Sequence, residues 1–129
     1  TNKKLMKKII TTNKSPQAIG PYSQAILSNK TLYISGQIGL NTDGILINKN
    51  IEEETIQVLK NIEEILKAAD MNFSNVVKTT IFLKNFNDYS AVNIIYAKYF
   101  KNHFPSREAV EVSRLPKDVN IEISSIAVI

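Results

Sequence analysis

The chain has 129 residues, enough for one domain with a hydrophobic core and too few for two. Hydrophobic residues make up 43% and charged residues 22%, which is typical of a globular protein, and no apolar run approaches the roughly 20 residues that cross a bilayer. There is no cysteine, so disulfides, thiol nucleophiles and zinc–thiolate sites are excluded.

The formal net charge of +4 comes almost wholly from lysine, because Arg107 and Arg114 are the only arginines. Several lysines crowd residues 1–8, which we expect to be a flexible segment at the start of a single domain. Nucleic-acid-binding surfaces usually interleave arginines with aromatic residues, and this sequence shows no such pattern. The charge therefore favours a solvated, lysine-rich surface over a nucleic-acid interface.

The first third of the chain predicts three strands, over residues 9–12, 23–27 and 32–36. The segment between the first two, residues 13–22, is rich in proline and glycine and is predicted to be an ordered loop. Asn29 tolerates a positive φ, so the second and third strands are predicted to form a hairpin.

The clearest helix is predicted over residues 51–69, where apolar side chains recur at the i, i+3, i+4, i+7 spacing. Asn50 can accept a hydrogen bond from the first turn, and Glu53 stands three residues later. This spacing is typical of a capping box.

The rest of the chain predicts a strand, a second helix and two final strands. β-branched residues over 76–83 indicate the strand, and the final strands are predicted over 107–112 and 121–128. The second helix is predicted to follow Asp88 and to stop before Pro105. Its buried stripe is predicted to comprise Val92, Ile95, Tyr96, Tyr99 and Phe100.

Two amphipathic helices would pack on one face of a mixed sheet, which predicts a two-layer α+β domain. The other face would expose apolar side chains of the last strand, such as Ile126 and Val128. Large apolar patches are rarely left in water, so we expect another subunit to cover that face.

Arg107 stands at the entry of a predicted strand, where a rigid backbone can aim its guanidinium. A guanidinium matches a carboxylate bidentately, and such charge-assisted pairs are about twice as strong as neutral hydrogen bonds. Arg107 is therefore a candidate clamp for a carboxylate ligand. The alternative is a surface arginine in an ordinary ion pair.

Strand alternation sets Glu122 on the face opposite Ile121 and Ile123, the same face as Ile126. A carboxylate on a largely apolar face needs a partner or a purpose. It is either part of a structural ion pair, or solvent-facing at an edge, or a general base whose pKa burial raises toward neutrality.

Tyr22 follows Gly20-Pro21, so the loop can hold its ring as the wall of a small pocket; the alternative is a ring that packs the loop onto the sheet. Ser35 and Gly36 end a strand, where the backbone can approach a ligand closely. Ser35 is not expected to be a nucleophile, because no histidine base can be assigned to it. The only histidine, His103, is expected to contact the terminal carbonyls of the second helix.

One histidine and no cysteine cannot build a Ser-His-Asp or Cys-His triad, and the sequence has no HExxH, Walker or GxGxxG motif. Covalent and metal routes are thus unsupported. What remains is the addition of water to an already electrophilic bond, which requires orientation and proton handling.

Three segments together resemble the RidA (YjgF) family: residues 16–25 (PQAIGPYSQA), residues 34–38 (ISGQI), and Arg107 with residues 114–123 (RLPKDVNIEI). The resemblance runs from residue 9 to residue 129. It implies a chorismate-mutase-like homotrimer whose sheets form a central barrel, with three sites between subunits and no cofactor or metal. The implied activity is hydrolysis of 2-imino acids, such as 2-iminobutanoate and 2-iminopropanoate, to 2-keto acids and ammonia.

The resemblance also implies roles for the site residues. Arg107 matches an arginine that clamps the substrate carboxylate, and Glu122 matches a glutamate that positions or activates the attacking water. Tyr22 matches a pocket wall that offers its phenol to the substrate. Ser35 and Gly36 match a position that contacts the substrate carboxylate.

The resemblance also bears on three further positions in or near the substrate pocket. Asn93 matches an asparagine near it, with a plain helix-surface amide as an equal alternative. Ala109 stands where many members carry a pocket-lining cysteine, so activity is expected to survive that exchange. Glu108 would compete for the Arg107 guanidinium if both faced the same way, but strand alternation should point it elsewhere.

Two other functions stay open. One is an RNA-directed endoribonuclease or translation inhibitor, as attributed to some family members, whose signature would be a steep salt dependence of RNA binding. The other is a non-catalytic small-ligand-binding or chaperone-like trimer. We expect a cytoplasmic protein, or an organellar one where a targeting segment precedes residue 1.

Overall fold

The computed structural model describes residues 6–129, whose strands and helices follow the predicted order β-β-β-α-β-α-β-β. The strands are β1 Lys7–Ile10, β2 Ala25–Ser28, β3 Thr31–Gln37, β4 Val76–Leu83, β5 Ser106–Glu111 and β6 Ile121–Val128. They form one mixed sheet in the order β1-β2-β3-β6-β4-β5, in which only the β4–β5 pair is parallel. The predicted α+β class is confirmed, and β4 and β6 have their predicted bounds.

The first strand begins two residues earlier than predicted. Lys7 and Lys8 belong to β1, which pairs with β2, so they are not part of a flexible leader. Residues 1–5 of that predicted leader lie outside the described residues. Lysines fit here because β1 is an edge strand, and charged side chains are common on sheet edges.

The long helix α1 spans Ile51–Ala68, one residue shorter than predicted. Asn50 accepts a hydrogen bond from the Glu53 amide at 2.8 Å, but the reciprocal Glu53 bond of a capping box is absent from the described residues. Glu54 lies on the buried face of α1 with only 1% of its surface exposed. Periodicity did not predict a charged side chain there.

The second helix α2 spans only Tyr89–Ala97, so Tyr99 and Phe100 follow it instead of belonging to it. Phe100 is still buried, because its ring packs edge-on against Phe73 at 5.3 Å between ring centres. His103 does not contact helix carbonyls. Its Nε2 lies 3.0 Å from the carbonyl oxygen of Val76 at the start of β4.

Both helices pack on one face of the sheet and enclose the hydrophobic core with it. The other face, here called the open face, carries an apolar row that crosses four paired strands: Ile9, Ile26, Tyr33 and Ile126. Ile9 is 62% exposed and Tyr33 is 51% exposed. The predicted apolar open face is therefore present, and its cover by another subunit stays a prediction. Within residues 6–129, no helix has the length and apolar character needed to cross a membrane.

Candidate active site

Most of the sequence-predicted site residues surround a cleft of about 400 Å³ at one end of the open face. We call it the Glu122 cleft. It lies where β3 and β6 meet the loop that follows β1 and the turn before β6. Its lining comprises Ile19, Tyr22, Ser35, Gly36, Ile38, Pro116, Lys117 and Glu122.

The Glu122 carboxylate packs directly against the backbone of Gly36. A Cβ added at Gly36 would lie 2.7 Å from Glu122 Oε2, so only glycine leaves room for the carboxylate in this position. Partial burial raises the pKa of Glu122 above its ordinary value. A carboxyl group of this kind can take a proton from water more readily than an exposed glutamate can.

The loop that carries Tyr22 is held from inside by Gln24, whose side chain is buried. The Gln24 side-chain oxygen accepts a hydrogen bond from Thr12 N at 2.8 Å. Its side-chain nitrogen donates to Thr12 O at 3.1 Å and to Pro16 O at 2.8 Å. The Tyr22 hydroxyl in turn accepts a hydrogen bond from Ile19 N at 3.3 Å. The ring is thus fixed at the cleft wall, although it stays 50% exposed in the single chain.

Ser35 lies at a bulge that interrupts the β3–β6 ladder between Ile34 and Gln37. Its hydroxyl donates to Ser23 O at 2.6 Å, and its backbone amide donates to Gln24 O at 3.0 Å. Both Ser35 donors are therefore already used. A carboxylate contact at this position would have to come from the bulged backbone beside it rather than from the Ser35 hydroxyl.

Arg107 lies in a second cleft of about 320 Å³, lined also by Asn93, Tyr96, Ala97, Phe104 and Pro105. We call it the Arg107 cleft. The guanidinium carbon lies 4.9 Å from the centre of the Tyr96 ring, and Nη2 donates to the Tyr89 hydroxyl at 2.9 Å. The Tyr96 hydroxyl is itself fixed by a 2.7 Å hydrogen bond to Thr79. The guanidinium is therefore held in place by aromatic and polar contacts.

Within residues 6–129, Arg107 forms no ion pair with a carboxylate. Its neighbour Glu108 accepts a hydrogen bond from Thr80 at 2.6 Å and lies 3.4 Å from the Lys78 ammonium. The prediction that Glu108 points away from Arg107 is confirmed. The Arg107 charge remains available for an external anion.

Arg107 and Glu122 lie on opposite faces of the sheet. Arg107 pairs with Thr79, which contacts Tyr96 on the helix side, whereas Glu122 pairs with Phe82 on the open face. Side chains that are neighbours across paired strands share a face, and successive residues alternate between faces. One chain therefore divides the predicted site between two clefts on opposite faces of its sheet.

Asn93 and Ala109 share the helix side of the sheet with Arg107. The Asn93 side-chain oxygen is buried and has no hydrogen-bond partner within the described residues. Ala109 packs against the core beside Ile81 and does not reach the lining of either cleft. Of the two, Asn93 lines the Arg107 cleft, and its side-chain oxygen is not bound by another described residue.

Sequence reasoning gave no site role to Tyr96 and Lys117, which line the two clefts, or to Tyr89, which bonds to Arg107 beside its cleft. Tyr89, Asn93 and Tyr96 stand at i, i+4 and i+7, which places them on one helix face, and this spacing could have grouped the two tyrosines with Asn93. Lys117 lines the Glu122 cleft with a positive φ of 54°. Lys117 belongs to the segment RLPKDVNIEI but received no role, because lysine rarely adopts that backbone conformation and local pattern does not predict it.

No three His, Cys, Asp or Glu side chains within residues 6–129 converge as a set of metal ligands.

A profile of the family described as Endoribonuclease L-PSP matches residues 12–129 of this chain. The human 2-iminobutanoate/2-iminopropanoate deaminase is 52% identical over 96% of this chain and 91% of its own length. A Rid family protein of Yersinia pestis has a crystal structure with a TM-score of 0.93 and 52% identity, over 96% of this chain and 100% of its own. The Escherichia coli TdcF structure with bound serine has a TM-score of 0.90 and 36% identity, over 95% and 98%.

Proposed function

Because this chain belongs to the Endoribonuclease L-PSP family, we propose that it is a 2-iminobutanoate/2-iminopropanoate deaminase, a hydrolase of reactive 2-imino acids. The human relative bears that name at 52% identity over nearly the whole chain. The observation that carries the proposal is the Arg107 guanidinium, fixed on Tyr96 and without a carboxylate partner in residues 6–129. It is equipped to receive the carboxylate that every such substrate carries.

The substrate carboxylate would bind the two parallel N–H groups of the Arg107 guanidinium. The C=N carbon, one bond from the carboxylate, would then point away from Arg107 into the remainder of the site. A bidentate guanidinium fixes direction as well as position, so the imine carbon is held in one place. The E. coli relative with bound serine supports a ligand that carries an α-carboxylate and an α-nitrogen. Holding the reactants in this way supplies the orientation that hydrolysis requires.

Glu122 would act on the attacking water. The carboxylate accepts a proton from water as the oxygen attacks the carbon of the protonated imine, and a carbinolamine forms. Return of that proton to nitrogen lets the C–N bond break, and the hydroxyl proton is carried off by the departing ammonia as ammonium, leaving the 2-keto acid. Partial burial raises the pKa of Glu122, which suits a group that takes up and returns one proton per cycle.

We propose a homotrimer in which the open faces pack together into a central barrel and sites form between subunits. The apolar row of the open face supports this, because Ile9 and Tyr33 are more than half exposed in the single chain. The position of Arg107 and Glu122 on opposite faces of one sheet supports sites shared by two subunits. In this arrangement, the Arg107 cleft of one subunit faces the Glu122 cleft of its neighbour.

The function is tested by generating 2-iminobutanoate and 2-iminopropanoate in situ and following 2-keto acid formation. We expect the chain to accelerate hydrolysis over the uncatalysed rate and Arg107→Ala to abolish the acceleration. No acceleration by folded, trimeric protein would overturn the proposal. In that case the salt dependence of RNA binding would test the activity named in the family description.

A further inference from the structure

Tyr89 stands beside the Arg107 cleft, where its hydroxyl contacts the Arg107 guanidinium, and it has no assigned role. It is the first residue of α2, and its ring stacks on Phe86 with ring centres 4.7 Å apart and planes 13° apart. Phe86 is fixed in turn by a 2.8 Å hydrogen bond from its backbone amide to Glu111 on β5. The Tyr89 ring is therefore held by contacts that do not depend on its hydroxyl.

The Tyr89 hydroxyl acts as an acceptor toward Arg107. Nη2 of Arg107 donates to the Tyr89 oxygen at 2.9 Å, which uses one N–H of the guanidinium and leaves the others. Among the hydrogen bonds found within residues 6–129, none has the Tyr89 hydroxyl as donor, and the Asn93 side chain is its other polar neighbour. A donor therefore stands directly beside the cation.

We propose that Tyr89 is a specificity-determining residue that donates its hydroxyl proton to one oxygen of the ligand carboxylate while Arg107 binds that carboxylate through its remaining N–H groups. This inference rests on the proposed function, because it names the second donor for the carboxylate of a small 2-imino or 2-oxo acid. The two groups together discriminate a carboxylate from an uncharged group of similar size.

Two further observations support this assignment. The Asn93 amide and the Arg107 charge lower the pKa of Tyr89, and a more acidic hydroxyl is a stronger hydrogen-bond donor to an anion. Asn93 lines the same cleft, and its buried side-chain oxygen has no hydrogen-bond partner within residues 6–129, which makes it the acceptor proposed here for the N–H of a protonated imine. The donors Tyr89 and Arg107 and the acceptor Asn93 thus match the two ends of a 2-imino acid.

The test measures the binding of 2-oxobutanoate, the stable product, and of its uncharged methyl ester by calorimetry. Wild type is compared with Tyr89→Phe, with Arg107→Ala and with Tyr99→Phe, which removes a tyrosine hydroxyl outside both clefts. Tyr89→Phe keeps the ring and its stacking on Phe86. We expect Tyr89→Phe to bind 2-oxobutanoate about tenfold more weakly, the ester unchanged, and Tyr99→Phe to match wild type.

The outcomes separate this inference from the proposed function. If Arg107→Ala loses 2-oxobutanoate while Tyr89→Phe binds it like wild type, the role of Tyr89 is overturned and the proposed function stands. If Tyr89→Phe weakens the acid and the ester equally, the hydroxyl is structural and the inference is also overturned. If trimeric wild type neither binds the acid nor hydrolyses imines, both fall together.

Discussion

The Arg107 cleft and the Glu122 cleft use opposite means to prepare a charged group. Arg107 is surrounded by aromatic rings and a hydroxyl that stabilise its positive charge and fix its direction. Glu122 is pressed against Gly36 with no hydrogen-bond partner in the described residues, and its burial raises its pKa. The cation is stabilised as an ion, whereas the carboxylate is made more basic.

This difference is consistent with the proposal that the Arg107 cleft binds the ligand and the Glu122 cleft transfers the proton. A group that holds a ligand must keep its charge, and a group that handles protons must be able to lose its charge near the working pH. Because the two groups lie on opposite faces of one sheet, neither cleft contains both functions. The comparison can therefore be tested on each cleft separately and on the two together.

The largest effect is expected at Arg107. Arg107→Ala removes the charge that binds the carboxylate, and we expect kcat/KM for 2-iminobutanoate hydrolysis to fall about a thousandfold. Arg107→Lys keeps the charge but loses the planar fork, so its loss should be closer to tenfold. Steady-state kinetics on both trimeric variants decides this, and equal losses for Ala and Lys would contradict a bidentate clamp.

Glu122→Gln should lower kcat by roughly a hundredfold, because the amide cannot accept a proton from water. In wild type, kcat/KM should fall on the acid side with a midpoint above the ordinary pKa of a glutamate, since burial raises the pKa of Glu122. The variant should lack this acid limb. An unchanged pH–rate profile in Glu122→Gln would exclude Glu122 as the base.

The same carboxyl affects stability in a predictable direction. Burial raises the folded-state pKa of Glu122 above its unfolded value, so its contribution to stability is fully present below the unfolded pKa and is lost as pH rises through the folded pKa. Glu122→Gln should therefore gain stability relative to wild type as pH rises through that window. Urea unfolding of both proteins at acid and neutral pH measures it, and a constant difference would refute the raised pKa.

Gly36→Ala tests the packing of the Glu122 cleft with the Arg107 cleft left intact. The new Cβ would meet Glu122 Oε2 at 2.7 Å, so the carboxylate must move. We expect kcat to fall about tenfold, as for the displacement of a catalytic group, with little change in KM. Binding of 2-oxobutanoate should stay close to that of wild type, and its loss would show that the backbone at Gly36 contacts the ligand carboxylate.

The smallest effect on catalysis is expected at Glu54, a support of β6. The buried Glu54 carboxylate accepts from the backbone amide and the side chain of Asn120, at 2.8 and 2.7 Å, just before β6 begins. Glu54→Ala should cost roughly 2–3 kcal/mol of unfolding free energy, because it leaves a buried donor unpaired and a cavity. Glu54→Gln, which can still accept from the backbone, should cost less; equal losses in urea unfolding would show that the Asn120 contact does not matter.

The sequence predicted those parts of the fold that depend on local pattern. The predicted bounds of β4, β6 and α1 agree with the structure to within one residue. Their β-branched runs and apolar stripe are local patterns that the sequence shows directly. The edge strand β1 was misplaced, because its position is decided by pairing with β2 and not by its own lysines. The length of α2 was overestimated, because Phe100 is buried by aromatic packing after the helix has ended.

The chemistry of the site was visible in the sequence, but its division between two clefts was not. Alternation placed Glu122 correctly relative to Ile121 and Ile123, yet its relation to Arg107 depends on how β4 pairs with β5 and with β6. Those pairings are long-range and leave no local trace. Helical spacing could have grouped Tyr89 with Asn93 and Tyr96, but its contact with Arg107, 18 residues away in sequence, could not be predicted from local pattern.

The most direct test of the shared site is complementation between two inactive variants. Arg107→Ala and Glu122→Gln, unfolded together and reassembled as mixed trimers, would place an intact Arg107 cleft opposite an intact Glu122 cleft at some interfaces. Random assembly predicts recovery of roughly a quarter of wild-type activity, whereas each variant reassembled alone stays inactive. If mixed trimers form and remain as inactive as the separate variants, the two residues do not act across a subunit interface.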